Sequence, residues 1–209
     1  IDVPYAFQPP GTMRNILGET ISMHRRRQLR TAETEKYAHV TYFFNGGNEM
    51  AFDSEHRSMV PSPKGIATYD EQPEMSAPAV AWKVVHALRS RKYDFILINF
   101  ANPDMVGHTG NLEAAITSIE TVDECMRQLL ETIDELEGIL IYTSDHGNAD
   151  QMFTETADGE RIPMTSHTLA PVPFVIHDPA NKNEYNLAPP ADAGLSHIAS
   201  TTLNLLGFQ

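Results

Sequence analysis

Two short apolar runs joined by a long amphipathic segment constrain this chain most. The first is Tyr93–Ala101, YDFILINFA, and the second is Gly138–Thr143, GILIYT. Neither alternates polar with apolar, so each reads as a buried strand, and the first as one covered on both faces, as in a parallel sheet. Between them Leu112, Ile116, Ile119, Val122, Met126, Leu129, Ile133 and Leu136 recur at helical spacing. From Asn111 to Leu136 this helix spans roughly 39 Å, enough for a crossover connection, and Gly138 closes it. The expectation is an α/β fold with a mainly parallel central sheet.

Ligand sites in such sheets gather at the carboxyl ends of strands. Both runs lead there into metal-ligating residue types. After the first come Asp104 and His108, four apart, which is one helical turn or the two sides of a tight loop. After the second comes Asp145-His146-Gly147-Asn148. A third candidate, His167, stands in Thr165-Ser166-His167-Thr168, ahead of another short apolar run, Pro171–Ile176. Each alone is equally a polar turn or loop beside a core strand. Together Asp104, His108, Asp145, His146 and His167 exceed one tetrahedral ion. They suggest two metals a few Å apart, the arrangement that clamps attacking and leaving oxygens in phosphoryl transfer.

The remaining segments frame these loops. Residues 1–13, with Pro4, Pro9, Pro10 and Gly11, have linker composition. Arg14–Leu29 predicts an amphipathic helix with Arg25, Arg26 and Arg27 in its last turns. His39–Phe44 predicts a strand broken by Asn45-Gly46-Gly47. Just before it Lys36 is either part of a solvated strand edge or a point charge offered to a phosphate. Residues 48–76 read as loop, and Ser62, between two prolines, as a loop residue and not a nucleophile. Ser76 predicts an N-cap for a helix reaching about Arg91, with Pro78 in its first turn. Residues 151–165 read as a loop with a tight turn at Asp158-Gly159. Gly194–Leu206 predicts a last helix, in which His197 receives no role.

Net charge is -13, and only Arg25–Arg27 with Arg30 form a basic group, so nucleic-acid binding has little support. The lone Cys125 lies on an apolar helical stripe and reads as a packed thiol suited to a reducing cytosol. No apolar run approaches the roughly 20 residues of a membrane span, and the N-terminus has no signal-peptide pattern. The first residue is Ile1, which suggests a fragment or a trimmed product.

Seven segments then carry a resemblance: AETEKYAHVTYFFNGG (32–47), VPSPK (60–64), TYDEQPEMSA (68–77), NFANPDMVGHTGNLEAAI (99–116), TSDHGNADQM (143–152), TSHTLAPVPF (165–174) and GLSHIASTTLNLLG (194–207). In these the chain resembles the cofactor-independent (2,3-bisphosphoglycerate-independent) phosphoglycerate mutases of the alkaline phosphatase superfamily. The resemblance implies an alkaline-phosphatase-like three-layer α/β sandwich and two Mn ions, with Zn or Co as alternatives. Asp104, His108 and His167 would hold one ion, Asp145 and His146 the other, and Lys36 would contact the substrate phosphate. It implies cytoplasmic interconversion of 3- and 2-phosphoglycerate, in glycolysis and gluconeogenesis, through a phosphoserine. Members of that family are much longer. The expectation is therefore a C-terminal portion: residues 1–12 as the trailing end of an inserted domain and its hinge, and 13–209 as part of the metal-binding domain. On that expectation the nucleophilic Ser is lacking, the chain is inactive alone, and the missing N-terminal part is its partner. The alternatives are a phosphatase or phosphopentomutase of the same superfamily, or a non-catalytic metal-binding fragment.

Overall fold

The computed structural model describes residues 13–182 and 184–208. The expected hinge at residues 1–12 lies outside them. The first helix, α1 (Leu17–Met23), is shorter than the sequence suggested. It stops because Arg25 takes a left-handed φ of 59°. Arg26 and the Arg27 N–H then bond Asp94, at 3.0 and 2.8 Å, so the basic cluster is tied to the entry of a strand and not to a helix end.

The central strand is β1 (Gln28–Glu33), read as QLRTAE, and every residue of it is buried. No apolar pattern announces it. Both its neighbours pair with it along their length, and some of its polar side chains find partners inside the fold. Gln28 Nε2 donates to the Gly18 carbonyl at 2.8 Å, and one Glu33 oxygen accepts the Ser76 N–H at 3.0 Å. The Arg30 guanidinium lies 4.2 Å from the Phe44 ring centroid and bonds Gln28. These bonds offset part of the cost of burying polar groups, while Arg30 Nε and Nη1, Thr31 Oγ1 and Glu33 Oε2 find no partner among the described residues.

After β1 the chain turns helical as α2 (Thr34–Ala38), continued by a π-turn over His39–Phe43. The strand expected at His39–Phe44 is thus corrected. Its β-branched and aromatic residues are packed on one side only: Val40 and Thr41 are buried while Phe43 is exposed. Thr41 Oγ1 bonds back to the Tyr37 carbonyl at 2.7 Å, as helical hydroxyls do.

Residues 48–76, expected as loop, contain β2 (Glu55–Val60). Helix α3 (Ala77–Arg89) follows, with Pro78 in its first turn. Ser76 precedes it without capping it, its hydroxyl going to the Pro61 carbonyl at 2.8 Å. Strand β3 (Phe95–Asn99) then completes a parallel sheet of order β2-β1-β3, with Leu29 opposite both His56 and Ile96. Helix α4 (Asn102–Gly107) leads to α5 (Leu112–Leu136), whose N-cap Asn111 accepts the Ala114 N–H at 3.2 Å. Glu137, in a left-handed conformation at φ 53°, ends α5.

Strand β4 (Leu140–Thr143) runs antiparallel to β7 (Phe174–His177), with Ile141 opposite Ile176, and not parallel as expected. Between them a hairpin, β5 (Phe153–Glu155) and β6 (Arg161–Pro163), occupies the stretch read as loop. It turns near Gly159 at φ 79°, a conformation that favours glycine. Helix α6 (Ile198–Leu205) ends the chain, preceded by a single 3₁₀ turn.

Two apolar clusters support this frame. One joins Ala77 and Ala81 of α3 to Cys125 of α5, with Phe100 against them. The other, Met75, Ala101, Val106, Ala114, Ala115 and Met152, underlies α4 and the start of α5. The buried stripe of α5 is Ala115, Ser118, Val122, Cys125, Leu129 and Ile133; Leu112, Ile116 and Ile119 stay exposed. Among the described residues no helix is long and apolar enough to cross a membrane. Burial pushes the Cys125 thiol up to about 11, with Glu124 adding to the effect. Native protein at pH 8 should therefore resist iodoacetamide, while urea-unfolded chain is alkylated; rapid labelling of the native protein would contradict this packing.

Candidate metal centre

The carboxyl end of β3 builds the first half of the site. Asn102 is fully buried and its amide donates to the Pro73 and Glu74 carbonyls, at 2.9 and 2.7 Å, fixing where α4 begins. One residue on, Pro103 sits in the opening turn, where its missing N–H costs nothing. Asp104 then faces inward, and His108, one helical turn later, brings Nε2 to 3.0 Å from Asp104 Oδ1. Of the two readings of that spacing, one helical turn and a tight loop, the structure has the helical turn.

The loop after β4 and the segment before β7 supply the second half. His167 Nε2 lies 3.0 Å from Asp104 Oδ1 and 3.2 Å from His108 Nε2. His146 stacks on His167, with ring centroids 3.6 Å apart and planes 21° from parallel. Its Nε2 is 3.8 Å from Asp104 Oδ1 and 3.6 Å from Asp145 Oδ1. His146 therefore stands between two carboxylates, and Asp145, largely exposed, joins the group only through it. Asp104, His146 and His167 each offer a ligand atom within 4.8 Å of the others.

Proton placement shows why these groups want a cation. His108 Nδ1 faces the Thr165 carbonyl at 2.6 Å, so it carries the hydrogen. In the neutral ring Nε2 then bears its lone pair toward Asp104 Oδ1 and His167 Nε2. His146 repeats this less closely, with Nδ1 at 3.2 Å from the Gly147 carbonyl. Lone pairs converging on a carboxylate repel unless a positive charge lies among them. Imidazoles whose far nitrogens are fixed by backbone carbonyls are oriented as metal ligands are. The donor set fits a divalent ion of borderline character.

Cationic and amide groups complete the surroundings. Lys36, buried on α2, pairs with Asp104 Oδ2. Asn148, also buried, donates to Asp104 Oδ1 at 2.8 Å. Burial alone would raise the Asp104 carboxyl, but the Lys36 and Asn148 hydrogen bonds and the Lys36 charge outweigh it and hold it down at about 2. His39, one turn beyond Lys36, is pushed below the ordinary imidazole range by desolvation and by Lys36, against the opposing pull of Asp145 and Asp104. Sequence reasoning gave neither His39 nor Asn148 a role. Asn148 was visible as the residue closing Asp-His-Gly-Asn, but nothing in the spacing points its amide at Asp104.

A family described as the metalloenzyme superfamily matches residues 3–209. The chain belongs to the metalloenzyme superfamily. Among its relatives, the 2,3-bisphosphoglycerate-independent phosphoglycerate mutase of Syntrophotalea carbinolica is 49% identical over 207 residues, covering 99% of this chain and 38% of that protein. One from Methanosarcina acetivorans is 48% identical over 207 residues, with 99% and 38% covered. A crystal structure of Leishmania mexicana phosphoglycerate mutase at low cobalt concentration superposes with a TM-score of 0.86 at 36% identity, covering 94% of this metalloenzyme and 37% of that chain. The α/β, alkaline-phosphatase-like three-layer sandwich is thereby established. The metalloenzyme chain spans about two fifths of the length of these curated relatives.

These findings correct the expectation of a C-terminal portion in what it says of the site: the chain is not without a serine there, and the ligands it brings together do not depend on a missing N-terminal partner. The matches run through 99–100% of this chain, and four of the proposed ligands assemble from its own loops. A serine also lies at the carboxyl rim of the sheet. Ser62, two residues beyond β2, is buried, its N–H reaches Thr34 Oγ1 at 3.1 Å, and its Oγ has no hydrogen-bond partner among the described residues. It is a loop residue, as read, but one turned inward.

Proposed function

We propose that this centre serves the 2,3-bisphosphoglycerate-independent interconversion of 3- and 2-phosphoglycerate, the activity named for the relatives. The observation that carries the reading is the meeting of three imidazole Nε2 atoms on one oxygen of Asp104, with the Lys36 ammonium on the other. Asp104, His108 and His167 would hold one divalent ion and Asp145 with His146 a second, with Mn as the first choice and Zn or Co as alternatives. Such ions would supply charge neutralisation of the transferring phosphoryl oxygens and a lowered pKa for an attacking hydroxyl. Lys36 would shift from Asp104 to the substrate phosphate as metal charge replaces its own at the carboxylate. The reaction places the protein in glycolysis and gluconeogenesis, in the cytoplasm.

The test is to incubate the protein with 3-phosphoglycerate, with and without Mn, and to follow binding, 2-phosphoglycerate and inorganic phosphate. The expected result is metal-dependent binding and conversion, removed by chelation and weakened at least about tenfold in Lys36→Ala. Mn-loaded protein that neither binds nor converts 3-phosphoglycerate would overturn the proposal. Release of inorganic phosphate in place of 2-phosphoglycerate would make the protein a phosphatase.

A further inference from the structure

His146 and His167 come from segments remote in sequence, yet their rings stack face to face. What holds two exposed-loop imidazoles at that separation lies one residue further on in each segment. Gly147 and Thr168 form an isolated antiparallel bridge, with the Thr168 N–H donating to the Gly147 carbonyl at 2.9 Å. The Thr168 hydroxyl points to the Asp150 carboxylate, 3.0 Å from Oδ1 and 2.8 Å from Oδ2. The same hydroxyl oxygen accepts the Ala170 N–H at 3.3 Å. Asp150 thus ties its own loop, three residues past Gly147, to the segment carrying His167. The space between is filled: a Cβ on Gly147 would run into both Thr168 Oγ1 and Asp150 Oδ1.

We propose that Asp150 and Thr168 form a latch that positions the His146–His167 pair for the cation, so that neither touches the ion but both set its affinity. The inference rests on the metal reading above and goes beyond it by assigning roles outside the ligand set. A carboxylate accepting a hydroxyl hydrogen bond fixes both distance and direction, and ligands held in place need not be ordered when the ion arrives. Opening the latch frees His167, whose side chain is already half exposed. Because Asp150 is itself exposed, its removal should leave the metal-free fold nearly unchanged.

The experiment is a Mn titration of the whole chain read by the electron paramagnetic resonance of free Mn, paired with melting of the metal-free protein. Asp150→Ala and the near-isosteric Thr168→Val are expected to weaken Mn binding about 10- to 100-fold with metal-free melting little changed. Thr168→Ser, which keeps the hydroxyl, should recover most of the affinity. If wild type binds Mn and both variants bind it equally well, the latch is refuted while the metal reading stands. A parallel fall in metal-free stability, with affinity lost only in proportion, reduces the pair to a structural contact and also overturns the latch. If wild type binds no Mn, the metal reading itself fails and the latch with it.

Discussion

Replacing Asp104 with Asn is expected to abolish tight Mn binding, lowering affinity by more than about 100-fold, and to destabilise the metal-free protein as well. The first effect follows because one oxygen of this carboxylate meets three imidazole nitrogens, so no single histidine can substitute for it. The second follows from Lys36, which would be left buried without its counter-charge. With the carboxyl held at about 2 against an ordinary 3.8, the differential interaction is about 2 kcal/mol. The direction with pH is fixed. A depressed carboxyl stabilises fully above its unfolded pKa, so the wild-type advantage over Asp104→Asn should be complete above pH 4 and vanish as pH falls through 2. Adding Lys36→Met to Asp104→Asn should restore much of the lost stability but none of the Mn binding. Denaturant unfolding of the four proteins measures this coupling. Additive losses would show that the two side chains do not interact in the way described.

The other large effect belongs to Arg30. Its side chain is fully buried between the Phe44 and Phe95 rings, 4.2 and 5.5 Å from their centroids. Burial lowers its guanidinium to about 10, with Glu55 opposing that shift. Two of its nitrogens find no hydrogen-bond partner among the described residues. Arg30 therefore acts more as a space-filling slab than as one half of an ion pair, since Glu55 already has Arg57 at 2.6 Å and Asn45 at 2.8 Å. Arg30→Ala should cost about 3–5 kcal/mol, the range for emptying a large core site, whereas Arg30→Met should cost less than about 2 kcal/mol. Equal losses in the two variants would assign the role to charge. Urea unfolding distinguishes the two accounts.

How far the sequence could be read follows from which force fixed each part. The long helix was legible because its apolar residues recur at regular spacing, and β3 because they run without interruption, although at the edge of its sheet it is only half-buried and not covered on both faces as expected. The Asp104–His108 pair was legible because a spacing of four can converge two side chains, whether in a helical turn or a tight loop. The central strand was not, because it is written in polar residues, and the partners of Gln28 and Glu33, the Gly18 carbonyl and the Ser76 N–H, lie in other segments that no local pattern reveals. The aromatic run at His39–Phe44 misled for the opposite reason: its composition favours strands, but the sheet's centre was already occupied by β1. The antiparallel direction of β4 is likewise set by its partner β7, and not by anything in Leu140–Thr143. At the site, the ligand types and their loops could be listed from spacing, while their sharing of a single carboxylate oxygen could not.

The most direct test of the whole account is an anomalous difference map from crystals of this protein soaked in Mn. A peak about 2.2 Å from Asp104 Oδ1 and from the Nε2 atoms of His108 and His167 is the predicted result. Crystals saturated with Mn that show no density there, with those three side chains ordered, would contradict it.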